Sequence, residues 1–184
     1  MSLEHLSQQL LDNKGQPSTE KKLPPVELWS PEFCGDIDLQ IKADGTWFYG
    51  GSSFKRMSLV KLFASVLKLE EANGKQKYFL VTPVEKVGIE VEDVPFVLTQ
   101  WQQSADGLIE CKTNLDDELV LNEQHKLLLT EDDQLYVTVR RNLLARVHRN
   151  VYYQWLETAQ DEATETGNEL ALYSGEYRFV IGRY

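Results

Sequence analysis

Four arginines lie close together in the sequence: Arg140, Arg141, Arg146 and Arg149 fall within ten residues, in a chain with seven arginines in all. Guanidinium groups bind phosphate and carboxylate through two parallel hydrogen bonds. Arg146 and Arg149 are three residues apart, so they would share one face of a helix. We expect an anion site here, held by Arg140 and Arg146. The alternative is that the arginines pair with the chain's many acidic side chains.

Further polar side chains stand at the ends of predicted strands and at the start of a predicted helix, and each could extend an anion site. For Lys86, the alternative is that the segment 82–86 is only a proline-containing connection at a sheet edge. For Asn114, the alternative is that its amide stabilises the acidic turn that follows. The complete predicted ligand set is Arg56, Lys86, Thr113, Asn114, Arg140 and Arg146.

Acidic and imidazole side chains could also do chemistry, but their spacing does not favour it. Glu90 and Glu92 lie on one face of a predicted strand, where a carboxylate pair could share a proton or hold a metal. Such a pair is more often the solvent face of the strand. The acidic turns at 116–118 and 131–133 lack the ligand spacing of a calcium loop. The histidines also lack metal spacing; they are His5, His125 and His148. We expect no metal site.

Motifs of known catalytic sites are missing from the sequence. It contains no nucleophile elbow, no phosphate loop ending in Gly-Lys-Ser/Thr and no dinucleotide-binding fingerprint. The segment 50–53, Gly-Gly-Ser-Ser, lies between a predicted strand and a predicted helix, where phosphate loops occur, but it lacks their lysine. A hydrolase that uses Glu85 or Glu92 therefore has no motif to support it. We expect no catalytic residue and no cofactor.

Composition narrows the class of partner and the compartment. The 184 residues are 42% hydrophobic and carry a net charge of −10, which disfavours a nucleic-acid polymer as a partner. No apolar run is long enough to span a membrane, and the first residues do not form a secretory signal. Cys34 and Cys111 lie far apart, as is typical of reduced thiols. We expect a cytoplasmic protein without membrane attachment.

The elements that must position these residues begin with a helical stripe from Leu3 to Leu11 and a polar linker, which together make a first segment of residues 1–23. A first domain is predicted over 24–94. It contains a hairpin around Asp44-Gly45, an amphipathic helix from Met57 to Leu69, and two further strands. The helix ends in the polar segment that follows Leu69.

A second domain is predicted over 95–184. Its first part reads as a run of strands, at 96–101, 108–113, 119–121, 127–129 and 135–139. A long helix follows, from about Asn142 to Ala159, and then a polar loop over 161–168. Strands at 170–173 and 177–181 close the chain as a hairpin.

The order hairpin, basic residue, helix, hairpin occurs twice, from Leu39 to Val91 and from Leu127 to Ile181. We interpret this order as an internal duplication with a three-stranded insertion between the copies, although chance could also produce it. The predicted fold is α+β. It has two tandem related domains, each a small, mostly antiparallel sheet with one long helix.

Several short segments follow one another in a recognisable order. They are 44–47 (Asp-Gly-Thr-Trp), the basic residue and helix of 56–67, 80–86 (Leu-Val-Thr-Pro-Val-Glu-Lys), 91–96 (Val-Glu-Asp-Val-Pro-Phe), Thr113-Asn114 and 135–140 (Leu-Tyr-Val-Thr-Val-Arg). This order resembles a bacterial family that is catalogued as domain of unknown function 1285, and the resemblance extends from Trp29 to the end of the second predicted helix. It implies a duplicated α+β core whose second domain is superficially similar to pleckstrin-homology folds. It also implies a small-molecule site in the cleft between the domains, for a nucleotide-based ligand with a role in signalling.

Together these features predict a non-catalytic ligand-binding or regulatory protein that holds an anionic small molecule between its domains. A nucleotide is the example that the resemblance implies. The alternative is an interaction scaffold whose acidic surface recruits an unidentified protein partner.

Overall fold

The computed structural model describes residues 5, 7, 8, 10, 23–165 and 167–184. The chain divides into two compact units, Met1–Asp93 and Val94–Tyr184. Most of the predicted first segment, 1–23, lies outside the described residues; residues 5, 7, 8 and 10 are helical, and Leu10 among them is buried. No helix in the described part of the chain is long and apolar enough to cross a membrane.

The first unit is built on a six-stranded sheet of two antiparallel meanders. The elements are a 3-10 turn at Val26–Leu28, β1 (Phe33–Ile41), β2 (Trp47–Tyr49), β3 (Ser52–Ser53), α1 (Met57–Ser65), β4 (Leu67–Ala72), β5 (Lys75–Val81) and β6 (Lys86–Val91). The order across the sheet is β3-β2-β1-β6-β5-β4, and the two meanders join through the parallel pair β1–β6.

The predicted first hairpin is present, and local chemistry forms its turn. Gly45 has a φ of 83°, and the Asp44 carboxylate accepts a hydrogen bond of 2.9 Å from the Thr46 N–H. The segment 50–53 comprises a second tight turn, Gly50-Gly51, and β3, which this turn joins to β2. There Gly50 and Gly51 both take positive φ, so these residues serve a hairpin.

The first helix is shorter than predicted. It ends at Ser65, and the residues from Leu67 onward form β4 against β5. Leu67 pairs with Leu80 and Leu69 with Tyr78. The prediction was wrong because apolar residues at 66, 67 and 69 fit a helical stripe as well as strand alternation. Pairing with β5 decides between the two.

The second unit repeats the sheet of the first. Its strands are β7 (Phe96–Gln103), β8 (Ile109–Thr113), β9 (Glu118–Val120), β10 (Leu127–Leu129), β11 (Leu135–Arg140) and β12 (Leu143–Val147). Their order across the sheet is β10-β11-β12-β7-β8-β9, with β12 and β7 as the parallel pair. A helix, α2 (Arg149–Thr158), and a separate three-stranded sheet follow, which consists of β13 (Gln160–Thr164), β14 (Gly167–Ser174) and β15 (Tyr177–Arg183).

The first part of the predicted second helix is a strand. Leu143, Ala145 and Val147 are buried while the residues between them are half-buried, which is the two-residue period of β12. Arg141, with a φ of 54°, lies in the tight turn between β11 and β12. The predicted loop at 161–168 is also corrected, because β13 pairs with β14 through most of it.

The fold class and the duplication are confirmed, but the repeating unit differs from the predicted one. In each sheet the first strand of one meander pairs in parallel with the last strand of the other. The strands at 96–121 are therefore the first meander of the second copy and not an insertion. What the second copy adds is α2 and the sheet β13-β14-β15 at its end.

A buried serine ties the added sheet to the rest of the second unit. Ser174 Oγ accepts a hydrogen bond of 2.9 Å from the Ile109 N–H and donates one of 2.7 Å to the Leu121 carbonyl. The indole of Trp155 on α2 is fully buried and meets Trp101 edge to face, with 6.2 Å between the ring centroids.

Candidate functional site

The outer face of the first sheet carries a group of lysine and phenylalanine side chains, which we call the lysine cluster. On β5, Leu80 and its neighbour Phe79 project to opposite faces of the sheet: Leu80 is fully buried in the core, and Phe79 lies on the face that carries the lysines, where it is 8% exposed. The strand register places the others beside it: Lys68 is opposite Phe79, and Phe33 is opposite Lys86. The members are Phe33, Lys68, Lys77, Phe79 and Lys86, with the carboxylates of Asp36 and Glu70 among them.

Three ammonium groups share two carboxylates in the lysine cluster. Glu70 lies between two lysines, with Oε1 3.1 Å from Lys68 Nζ and Oε2 3.0 Å from Lys86 Nζ. The third pair is Lys77 Nζ with Asp36 Oδ1 at 2.6 Å. Burial of Glu70 raises its pKa, but the hydrogen bonds from Lys86 and Lys68 outweigh this and leave the pKa below its usual value.

Both phenylalanine rings of the lysine cluster face ammonium groups. Lys77 Nζ lies 5.0 Å from the ring centroid of Phe33 and 5.6 Å from that of Phe79. Lys86 Nζ lies 4.8 Å from the Phe79 centroid. The rings meet edge to face at 5.9 Å, and Phe33 is 51% exposed. Cation–π attraction thus holds the lysine side chains over a partly exposed aromatic surface.

A glycine makes room for this arrangement. Gly88 on β6 is opposite both Asp36 and Phe79. A Cβ atom added at Gly88 would overlap Asp36 Oδ1 and lie 2.8 Å from Lys77 Cε. The Asp36–Lys77 pair therefore crosses the strand where no side chain stands in its way.

Of the six predicted ligand residues, only Lys86 belongs to the lysine cluster. Lys68 was assigned to a helix, and the other members lie far apart in the sequence, so no local pattern joins them. The signal was present: Lys77 and Phe79 alternate with apolar residues on a strand, as do Lys68 and Glu70 on the next. Strand pairing brings these two alternations onto one face.

Three of the predicted residues meet in the second unit, around Asp117. The Arg140 guanidinium pairs with the Asp117 carboxylate and lies 4.8 Å above the Phe96 ring centroid. The Arg140 side chain is only 13% exposed, and burial lowers its pKa. The Thr113 hydroxyl lies 3.3 Å from the second Asp117 oxygen.

Thr113 and Asn114 also shape the backbone around this pair. Thr113 Oγ accepts hydrogen bonds from the N–H groups of Leu115 and Asp117, at 3.3 and 3.1 Å. Asn114 binds Val97 twice, accepting at its side-chain oxygen from the Val97 N–H and donating its own N–H to the Val97 carbonyl. Thr113 therefore stabilises the turn that presents Asp117 to Arg140, and Asn114 ties that turn to β7.

The last two predicted ligand residues lie apart from these groups. Arg146 is on β12 and not on a helix, so it does not share a helical face with Arg149. Its guanidinium donates to the side-chain oxygen of Gln134. Arg56 is exposed and precedes α1 at its N-cap. Arg56 and Lys86 belong to the first unit, and the other four predicted residues to the second.

The acidic residues considered for catalysis have structural contacts. Glu92 accepts hydrogen bonds from Lys42 Nζ at 2.7 Å and from the Ala43 N–H at 3.0 Å, so it stabilises the first hairpin turn. Glu85 Oε1 lies 3.2 Å from His5 Nδ1. Among the described residues, no three His, Cys, Asp or Glu side chains converge in a way that could hold a metal ion.

Comparison with known proteins settles the family. Residues 24–94 match the model described as "Domain of unknown function (DUF1285), N-terminal domain", and residues 95–181 match the corresponding C-terminal domain. This chain belongs to the DUF1285 family. The resemblance drawn from the short strings is thereby confirmed.

Two crystal structures of DUF1285 family proteins are similar to this chain. One, from Silicibacter pomeroyi DSS-3, is 35% identical with a TM-score of 0.74, and the match covers 94% of this chain and 93% of that one. The other, from Shewanella baltica OS155, is 30% identical with a TM-score of 0.52, and the match covers 66% and 91%. No curated protein matches.

Proposed function

We propose that this DUF1285 protein is a non-catalytic binding protein for an anionic small molecule of the nucleotide type, with a regulatory role in signalling. The observation that carries the proposal is the lysine cluster. There, three ammonium groups meet two carboxylates, a local excess of positive charge in a chain of net charge −10. A partly exposed aromatic ring lies beside that charge.

The contacts of Glu70 support the phosphate part of the proposal. Its carboxylate bridges Lys68 and Lys86 with one oxygen to each, so both ammonium groups already converge on a group of the size and charge of a ligand anion. Each ammonium has three donors. The two side chains are 25% and 22% exposed, so a phosphate can approach them from solvent while Glu70 stays in place.

Phe33 supports the aromatic part of the proposal. Its ring is 51% exposed, and Lys77 Nζ lies over it at 5.0 Å. A nucleobase stacked on an exposed aromatic side chain gains about 1–3 kcal/mol. A ligand that carries both a phosphate and a flat ring therefore uses both parts of the cluster, which inorganic phosphate does not.

Thermal unfolding tests this proposal directly. The full chain is heated with AMP, GMP, cyclic AMP or inorganic phosphate. A ligand at about 100 times its dissociation constant stabilises the folded protein by roughly 2.7 kcal/mol, or about 5–10 °C in a chain of this length. We expect a shift with a nucleotide, and the loss of that shift in Lys86→Gln and Phe33→Ala.

The matched control is Lys55→Gln. Lys55 is an exposed lysine of the same unit outside the cluster. Lys55→Gln therefore changes the net charge by the same amount as Lys86→Gln. The proposal requires Lys55→Gln to keep the nucleotide shift. If Lys86→Gln and Lys55→Gln reduced the nucleotide shift by the same amount, the effect would belong to net charge. If none of the four anions shifted the melting temperature of the unmodified chain, the proposed function would be wrong.

A further inference from the structure

A groove of about 680 Å³ lies in the second unit, over β7, β8, β9 and the turn that follows β9. This volume is within the range of small-molecule sites, about 300–1,000 Å³. The groove contains none of the predicted ligand residues. Its polar lining includes Gln100, Gln102, Glu110, Lys112, Asn122 and His125.

The strand register arranges the polar side chains of the groove as a grid. Gln100 is opposite Lys112, and Lys112 is opposite Glu118 on the next strand. The neighbouring row places Gln102 opposite Glu110. Directly paired residues project from the same face of a sheet, with about 4.8 Å between strands. The grid is therefore a flat array of hydrogen-bonding groups on a rigid support.

Contacts within the grid fix the orientation of its members. Gln102 Nε2 donates a hydrogen bond of 2.5 Å to Glu110 Oε2. Lys112 Nζ lies 3.0 Å from Asp116 Oδ1 and 3.8 Å from Glu118 Oε1. Both donors and acceptors are thus held in place before any ligand arrives.

The turn after β9 adds one donor and one acceptor. Asn122 Oδ1 accepts from the N–H groups of Gln124 and His125, so the Asn122 NH₂ group is the part that can donate to a ligand. His125 Nδ1 lies 2.9 Å from the Thr138 carbonyl oxygen. Because a carbonyl oxygen only accepts, Nδ1 carries the proton, and Nε2 of the neutral ring is an acceptor.

The charges of the groove disfavour an anion, because three carboxylates, those of Glu110, Glu118 and the adjacent Asp116, stand around the single ammonium of Lys112. The carboxylates already have partners in the chain. Lys112 lies beside Asp116 and Glu118, and Gln102 donates to Glu110, so a cation would have to compete with these contacts. A neutral ligand with several hydroxyl groups fits this mixture, because each hydroxyl both donates and accepts.

We propose that this groove binds a neutral polyhydroxylated ligand of the sugar class. The site is separate from the lysine cluster and does not depend on the proposed anion function. Gln100 and Gln102 are positioned to hydrogen-bond the ligand hydroxyls across the two rows of the grid.

The test is a titration of the ¹⁵N-labelled full chain with glucose, maltose and N-acetylglucosamine at millimolar concentrations, followed by amide chemical shifts. We expect at least one sugar to shift the amides of 100–102, 110–112 and 118–122. Gln100→Ala and Gln102→Ala should each raise that dissociation constant by about three- to tenfold, the effect of one lost hydrogen bond.

Gln124→Ala is the matched control, since Gln124 is exposed, lies beside the groove and does not line it. It should bind the sugar as the unmodified chain does. Three results would overturn the proposal: no shift with any of the three sugars, equal affinity in the Gln100 and Gln102 variants, or groove shifts caused by spermidine or AMP in place of sugars. The amides of 67–91 report the lysine cluster separately, so the two proposals fail independently.

Discussion

The Asp36 carboxylate lies over Gly88, in the space that a Cβ atom at position 88 would take. The two residues are partners in the parallel pair β1–β6. Glycine weakens a strand by roughly 0.5–1 kcal/mol relative to alanine. Its presence here is explained by the Asp36–Lys77 ion pair that crosses above it, at 2.6 Å between Nζ and Oδ1.

This relationship predicts that Gly88→Ala destabilises the protein when Asp36 is present and stabilises it when Asp36 is replaced by alanine. In the unmodified chain the new methyl group displaces Asp36, and the protein becomes less stable. In an Asp36→Ala background the overlap with Asp36 is gone, and the Lys77 side chain has lost its ion-pair partner and can turn away from the new methyl group. The same change then stabilises by about 0.5 kcal/mol through strand propensity. Urea unfolding followed by tryptophan fluorescence measures both. Effects of the same sign in both backgrounds would contradict the steric explanation.

Glu70 predicts a specific pH dependence of stability. Its pKa in the folded chain lies below the usual 4.5, because the hydrogen bonds from Lys86 and Lys68 outweigh desolvation. A lowered folded pKa gives stability that is present above the unfolded pKa and is lost as the pH falls through the folded value. Glu70→Gln should therefore lower stability at pH 7, and the difference should vanish under more acidic conditions.

The neighbouring exposed Glu71 supplies the control for that experiment. Acid unfolding of Glu71→Gln, followed by circular dichroism, should match that of the unmodified chain. If Glu70→Gln and Glu71→Gln had the same acid profile, the bridge between the two lysines would have no measurable energetic role.

Arg140 predicts a stability defect. Removal of one partner of a largely buried ion pair leaves the other charge without compensation, which costs about 3 kcal/mol. We expect Arg140→Ala and Asp117→Ala each to destabilise the second unit by about this amount. The double variant should lose clearly less than their sum, because neither charge is left alone. Additive losses in urea unfolding would show that the two side chains are not coupled.

The two cysteines should differ sharply in reactivity. Cys34 is exposed, whereas Cys111 is buried and burial raises its pKa to about 12. Since the thiolate is the reactive form, a thiol reagent such as DTNB should modify one cysteine quickly in the native chain and the second only after unfolding. Cys34→Ser should remove the fast reaction. Rapid modification of both thiols would show that β8 opens readily.

Much of the fold could be predicted from local pattern. The Asp44-Gly45 hairpin and the closing hairpin of β14 and β15 lie where the sequence places them, because turn residues and alternation agree there. Residues 67–69 and 143–147 were misassigned to helices because their apolar residues fit the helical period as well as the strand period. Only pairing with β5, and with β11 and β7, makes them strands.

The candidate site was harder to predict for the same reason. Lys68, Lys77 and Phe33 are distant in sequence, and only the register of β1, β4, β5 and β6 brings them to Lys86. Arg140 was singled out by its charge, but the sequence could not show that Asp117 faces it. Clusters of like residues in a sequence do not reveal which oppositely charged partners the sheet supplies.

The parallel pairs that close the two sheets have a consequence for the order of folding. Each meander contacts itself within a few tens of residues, but β1 meets β6 only after the chain has run from residue 33 to residue 91. Contacts of long sequence separation slow folding because loop closure must precede them. A ribosome must therefore release all of β6 before the first unit can close. Until then the nascent chain exposes the unpaired edge of β1, where a chaperone would have its opportunity to bind.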